Sequence, residues 1–231
     1  MLILLALITL SLTIYWLFFS PSSQIFGKVN WRLKASEGRK QIALSFDDGP
    51  NQPYTDQLLD ILAKHRIKAT FFVCGACVKR HPGALKKIKS AGHSIGNHSH
   101  RHQFKDYFSP RSFIKALSLT NSIIFDEIGQ SPKLYRSPWL FRTPGILKSL
   151  KQLNLKPIWG TFGCELEPFQ PPAGFIADRG FKKAKNGSIL IFHDGKESVG
   201  GYRGNTVEAM DILIPKLKSA GFEFVKVEPN L

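Results

Sequence analysis

Negative charge is scarce in this chain. Its 231 residues carry 17 Asp and Glu against 32 Lys and Arg, a formal net charge of +15, and a field of that sign favours polyanions such as nucleic acid, anionic lipid or an acidic cell envelope. No nucleic-acid motif accompanies the charge. The basic residues are scattered (Arg39-Lys40, Lys86-Lys87, Lys182-Lys183) and do not gather on one periodic face, so nucleic acid is not an expected partner. Cysteine is scarcer still. Three residues, Cys74, Cys77 and Cys164, exclude a disulfide framework, and Cys74-x-x-Cys77 lacks the second pair of a zinc site or the surround of a redox motif. Internal repeats and low-complexity tracts are absent. With 43% hydrophobic and 21% charged residues, the length fits one globular domain, expected as a monomer.

Charge is also absent from the first nineteen positions, which are mostly Leu, Ile, Phe and Ala. About nineteen apolar residues span a bilayer. A signal peptide would add a basic n-region and a small-residue cleavage site, and neither is present, which favours an uncleaved anchor over 1–20. Residues 21–40 then read as a polar, basic linker and lead-in, and 41–231 as the folded domain. Lys28, Arg32, Lys34, Arg39 and Lys40 follow the anchor closely, and the positive-inside tendency would hold that flank in the cytoplasm. This conflicts with the extracytoplasmic location expected below.

What is there begins at Ile42. Ile42, Ala43, Leu44 and Phe46 form an apolar run of strand length ending in Asp47-Asp48-Gly49-Pro50, a buried strand delivering two carboxylates to its C-terminal end. Neighbouring side chains on an extended chain point opposite ways, so one acid could hold a metal while the other moves protons. An ordinary Asp-Gly turn is the plainer alternative. Helices are expected over 54–65, 82–91, 111–128, 143–153, 178–185 and 206–220, with strands over 69–73 (closed by Gly75), 132–136, 157–159, 188–192 and 222–227 and a further strand end at 93–96. The alternation predicts βα units on a parallel sheet, open or closed into a barrel. Asp47-Asp48, His98, His102, Arg136 and His193 each follow an expected strand, where parallel α/β folds place their sites.

Four of the seven histidines, His93, His98, His100 and His102, fall within ten residues. His98 and His102, four apart, would share one face of a helical turn while His100 points elsewhere. A solvated histidine patch is the plainer reading. Joined to a carboxylate from another strand end, two imidazoles leave coordination positions for water and substrate, as a catalytic zinc site requires.

The ordered series Ser45-Phe46-Asp47-Asp48-Gly49-Pro50, His98-Ser99-x-x-His102, Arg136-Ser137-Pro138-Trp139 and Ile191-Phe192-His193-Asp194 resembles the polysaccharide deacetylase family, the NodB-homology carbohydrate esterases. The resemblance covers roughly 41–227. It implies a distorted (β/α) barrel of seven or eight strands behind the N-terminal segment. It also implies metal-dependent removal of acetyl groups from N-acetylglucosamine polymers such as peptidoglycan or chitin, or from acetylated xylan. By the same resemblance Asp48, His98 and His102 hold one divalent metal, zinc in first place, with cobalt, nickel or iron compatible with the donors. Asp47 is then the general base, Arg136 its partner, His193 the general acid, and the Trp139 backbone N–H an oxyanion donor.

Several positions depart from the family pattern. Arg136-Ser137-Pro138-Trp139-Leu140 stands where Arg-Pro-Pro-Tyr-Gly is common, which puts a side chain at the groove wall. Pro138 and Trp139 remain the expected substrate contacts, and Ile191 an expected lining of an acetyl-methyl pocket. The later acidic motif is nearly gone; counted from Trp159, Glu165 is the carboxylate left to orient His193. Arg142 and Tyr202-Arg203 read as surface, Asp194 as a turn residue. A small-amide hydrolase on the same scaffold and an inactive glycan-binding protein are the competing readings; intact Asp47 and His193 argue against the second.

Overall fold

The computed structural model describes residues 1–34 and 38–227; the parts of the expected lead-in and catalytic domain at 35–37 and 228–231 lie outside them. Helix α1 (Leu2–Phe19) carries no charge and buries none of its residues. By length and composition it can cross a bilayer. Strand β1 (Gln41–Asp47) has no exposed surface on Ile42, Ala43, Leu44 or Phe46, and burial on both faces places it inside a parallel sheet covered by helices. The chain continues through α2 (Tyr54–Lys64), β2 (Thr70–Val73), α3 (Gly75–Arg80), α4 (Ala84–Ser90), β3 (Ser94–Asn97) and α5 (Pro110–Ile128). Next come β4 (Leu134–Tyr135), α6 (Pro144–Gln152), β5 (Lys156–Pro157) and β6 (Thr161–Phe162). Helix α7 (Ala173–Lys183), β7 (Ser188–His193), α8 (Gly204–Ser219) and β8 (Glu223–Phe224) complete it.

The strands pair in the order β5-β4-β3-β2-β1-β7-β6, with β8 beside the start of β1. All of these pairings are parallel. The sheet curls into an incomplete barrel, as expected for a distorted (β/α) barrel. Part of the expected linker belongs to it. Asn30 bridges to Ile158 and Arg32 to Ser188, and Val29 and Leu33 are buried. The lead-in therefore runs across the opening between the β5 and β7 sides of the sheet.

Most apolar burial lies between β1, β2 and β7 and helices α2, α7 and α8, around Phe46, Phe71, Phe192 and Leu213. Each fully buried side chain of that kind is worth about 1.5–3 kcal/mol. A second cluster around Tyr135, Trp159, Leu140 and Ile191 supports the sheet beneath α5 and α6.

Three local expectations are corrected. Gly75, read as ending a strand, opens the short helix α3 instead. Helix α7 starts at Ala173, directly after the Pro171-Pro172 pair and five residues earlier than its basic stretch suggested, because proline is compatible with a helix start. Residues 98–102 are not helical: Ser99 and His102 carry φ of 70° and 54°, and the two rings converge through a left-handed turn after β3.

Candidate active site and metal centre

Parallel strands all end on the same side, so the curled sheet carries the side chains that follow them to one rim. Asp47 closes β1 and His193 closes β7, and the two are register partners. His98 follows β3, and Arg136 follows β4 and donates its N–H to Asn97 O at 3.0 Å. The chain reverses just beyond Asp48, which holds φ 72°. The reversal depends on two close approaches. A Cβ on Gly49 would lie 2.1 Å from an Asp194 carboxylate oxygen, and one on Gly195 2.3 Å from the Asp48 carbonyl.

Asp48 Oδ1 stands 3.3 Å from His98 Nε2 and 3.4 Å from His102 Nε2. The three ligand atoms lie within 4.8 Å of one another. Asp48 Oδ1 is buried without a hydrogen-bond partner, while Oδ2 accepts the Glu197 N–H at 2.8 Å. His98 Nδ1 meets the Arg136 carbonyl at 2.9 Å, so Nδ1 must donate and Nε2 turns its lone pair inward. Burial lowers His102 to about 4 against the opposing pull of Asp48, which keeps that ring neutral. Burial opposes ionisation of Asp48 too, yet the His98, His102 and His193 rings around it hold it well below the carboxylate range. An ionised carboxylate and two inward lone pairs, one carboxylate oxygen unpartnered, fit a divalent cation. His100 takes no part; its Nδ1 lies against Gly75.

Cys74 and Cys77 sit directly behind this group. Their thiols donate to His98 O at 3.5 Å and Asp48 O at 3.3 Å. Burial raises Cys74 well above the usual thiol range and Cys77 to about 12. As neutral groups they brace the backbone at His98 and Asp48.

Arg136 is fully buried. Its Nη1 donates to Asp47 Oδ1 at 2.7 Å and Ser45 Oγ at 2.8 Å, its Nε to Ile158 O at 3.2 Å, and the guanidinium lies 4.1 Å over Phe72. A guanidinium held by these partners and by the Trp159 carbonyl gives Asp47 one charge-assisted hydrogen bond from a fixed direction. On the other side His193 Nδ1 meets Glu167 Oε2 at 2.5 Å. Burial alone would lower His193, but Glu167, with Asp48 and Asp47, raises it to about 9.

A profile of the family described as polysaccharide deacetylase matches residues 34–158. The chain is 33% identical over 206 residues to a peptidoglycan-N-acetylglucosamine deacetylase of Bacillus cereus, covering 89% of this chain and 93% of that one. The chain belongs to the polysaccharide deacetylase family. It is also 30% identical to a chitooligosaccharide deacetylase of Rhizobium leguminosarum bv. trifolii, over 82% of this chain and 91% of that one. Among solved structures, the peptidoglycan N-acetylglucosamine deacetylase Bc1960 superposes with a TM-score of 0.78 at 27% identity, covering 85% of this chain and 90% of that one.

Within this deacetylase-family fold, several expected residues stand elsewhere. Glu165 does not reach His193. It lines the cleft but pairs with Lys183 and with Arg179 at 3.5 Å. Glu167, two positions on and almost fully buried, takes that place, held in turn by Thr206. A second carboxylate in the same Pro-rich loop was the available signal; a fixed offset from Trp159 selected the wrong one. Arg142 and Arg203 are buried rather than superficial, and Arg203 Nε donates to Gly195 O at 2.5 Å behind the acid loop. Asp194 does more than close a turn: it bonds Thr55 at 2.6 Å and burial raises it to about 7.

A cavity of about 350 Å³ opens over Asp47, Asp48, His98, His102 and His193, with Trp139 and Phe162 on its walls. Trp139 meets His102 edge-on at 4.3 Å. Pro138 is buried and accepts from Tyr107 at 3.3 Å, and Ile191 belongs to the second core cluster. Neither lines the cavity, because Ile191 shares the face of His193 one pleat lower and Pro138 turns into the core. Leu140, in place of the common glycine, keeps φ 57° and buries its side chain, so that the backbone turn survives without glycine.

Proposed function

We propose that this chain is a metal-dependent hydrolase that removes N-acetyl groups from N-acetylglucosamine residues of a polymeric glycan and releases acetate, with peptidoglycan as the favoured polymer. One observation carries the reading. Asp47 and His193, register partners on adjacent strands, share one cavity with the Asp48, His98 and His102 group, so base, acid and metal ligands face one acetamide. The names of the two curated relatives support the substrate class.

Asp48, His98 and His102 would hold the ion, and two imidazoles with one carboxylate favour zinc. When bound, it supplies Lewis acidity toward the acetyl carbonyl and a nucleophile near neutral pH. Asp47, fixed through Arg136, takes the proton of the attacking water. His193, carrying its proton at neutral pH because Glu167 lies beside it, delivers that proton to the leaving amine nitrogen, and the C–N bond breaks. Glu167 also removes the main motive for an inactive glycan-binding protein, since the carboxylate that orients the acid is present two positions from where it was sought.

Helix α1 anchors the domain, and the domain lies outside the cytoplasmic membrane. The basic flank is compatible with this, because long domains cross largely irrespective of their charge. In the folded chain Arg32 donates to Asn186 O at 2.8 Å and Lys40 to Ala220 O at 2.9 Å, so these residues serve the domain.

The test is acetate release by the full chain from peptidoglycan, chitooligosaccharides, acetylated xylan and small amides, with and without a chelator. Release from the N-acetylglucosamine polymers, abolished by chelation and restored by zinc, is expected. Turnover of small amides alone would sink the reading. A reporter fused after Leu231 should be active outside the membrane; activity inside would overturn the location.

A further inference from the structure

Helix α1 does not leave the domain as a free tether. Its last turn is gripped by Arg142, whose backbone N–H donates to Phe18 O at 3.1 Å and whose guanidinium donates to the carbonyls of Ser20 and Ser23. Ser20 is the C-cap of α1 and Ser23 lies just beyond it, so the guanidinium stands at the negative end of the helix dipole, where a cation is favoured. Arg142 is fully buried and lies 5.4 Å over the Trp159 ring. All of its side-chain hydrogen bonds within the described residues go to those two carbonyls. A buried guanidinium committed to the end of a membrane-type helix is not what a passive linker requires.

The grip sets where the helix lies. Phe18 and Phe19 pack on Phe141 at 5.9 and 5.3 Å. Tyr15, one turn back and stacked on Phe19 at 6.0 Å, then reaches the catalytic cavity itself, sharing its lining with Asp48, His102, Trp139 and His193. A second cavity of about 450 Å³ is lined by Tyr15, Phe19, Phe104, Trp139 and Phe162. The helix thus presents aromatic surface to the groove beside the reacting centre. The same rim carries Phe108, which is 79% exposed and packs on Phe104 at 5.7 Å. Tyr15 is itself exposed, and a tyrosine at the end of an apolar span suits the interfacial zone of a bilayer, where the ring body is buried and the hydroxyl stays wet, with Phe108 adding apolar surface beside it.

We infer that α1 is part of the active site: its last turn forms one wall of the cleft, Tyr15 packs against the sugar rings of bound glycan, and the cleft opens at the bilayer surface onto glycan lying against the membrane. The substrate class rests on the deacetylase reading above; the wall itself does not. Arg142 is a positioning residue that acts through α1.

The experiment uses the full chain in phospholipid nanodiscs with a chitooligosaccharide as the probe. Tyr15→Ala should raise KM at least about fivefold with kcat held within about twofold, and Tyr15→Phe, which keeps the ring, should restore KM. An unchanged KM in Tyr15→Ala overturns the inference. A photo-crosslinking benzoylphenylalanine at position 15 gives a readout that needs no activity. Crosslinks to peptides containing Trp139 or Phe162 are expected, and crosslinks confined to lipid overturn the wall. Failure of the unaltered chain to release acetate from any glycan would remove the deacetylase reading, while the crosslink would still decide where α1 lies.

Discussion

Asp47 and His193, the proposed base and acid, are register partners on adjacent strands, yet their supports are built in opposite ways. Asp47 is held by Arg136, whose other side-chain hydrogen bonds go to Ser45, Ile158 and Trp159, residues on or beside strands of the sheet. His193 is held by Glu167, which opens a single 3-10 turn in the loop between β6 and α7 and depends on Thr206 at the start of α8. The contrast shows where such a site can drift. A carboxylate supplied by a loop can move two positions and still meet its histidine, whereas one supplied by a strand cannot move by one without facing the other way.

The sharpest way to break this comparison is to cut the strand-built half. Asp47→Asn keeps shape and loses basicity, so turnover should fall by about 10²-fold or more with metal retained. Asp48→Asn, His98→Ala and His102→Ala should instead lose metal, and His100→Ala should keep it. Metal analysis beside acetate release separates these outcomes. Equal metal loss in all the histidine variants would mean a diffuse patch, and near-normal turnover in Asp47→Asn would leave only a turn-forming residue there.

The loop-built half should give a smaller effect with a distinct signature. Glu167 is the chief reason that His193 titrates at about 9. The general acid works while protonated, so activity should fall as pH rises past that value. Glu167→Gln removes the charge that raises it. The alkaline limb of the pH–rate profile should therefore move to lower pH, and kcat at neutral pH should drop by roughly tenfold. Glu165→Gln should move neither, since its carboxylate is occupied by Lys183 and Arg179. A limb that shifts in Glu165→Gln would reverse the assignment.

The same contrast explains what could be read from residues alone. The motifs at Asp47-Asp48, His98 and His102, Arg136 and His193 lie at strand ends, where local pattern and backbone direction determine one another, and the structure brings all but Arg136 to one cavity, with Arg136 buried beneath it on Asp47. Glu167, Arg142 and Arg203 were illegible because their burial comes from contacts distant in sequence. Glu167 meets Thr206, Arg142 meets Ser20 and Ser23, and Arg203 meets Gly195 and Pro168. The helical turn expected at His98 and His102 failed for a related reason. Spacing of four is compatible with a helix, but two left-handed residues achieve the same convergence in a loop, and periodicity does not distinguish them. Helix α3 escaped because six residues are too few for a period to show.

The smallest expected effect on turnover tests whether the turn Pro138–Leu140, which borders the cavity, depends on its backbone or on its side chains. Leu140 holds φ 57°, a conformation costing an L-residue roughly 1–2 kcal/mol that glycine would not incur. Its side chain is buried in the second cluster, and removing such a leucine costs about 2–5 kcal/mol. The second term is the larger, so Leu140→Gly should be destabilised by about 1–3 kcal/mol, a fall in Tm of roughly 5 °C for a chain of this size. Trp159 Nε1 donates to the Leu140 carbonyl at 2.7 Å, a bond that the substitution leaves available. The turn carrying Trp139 should therefore persist, and kcat should stay within about twofold. Thermal melting and acetate release on the same preparation check both parts. A rise in Tm would mean that backbone strain outweighs packing at this turn, and a large loss of kcat would mean that the leucine side chain shapes the groove after all.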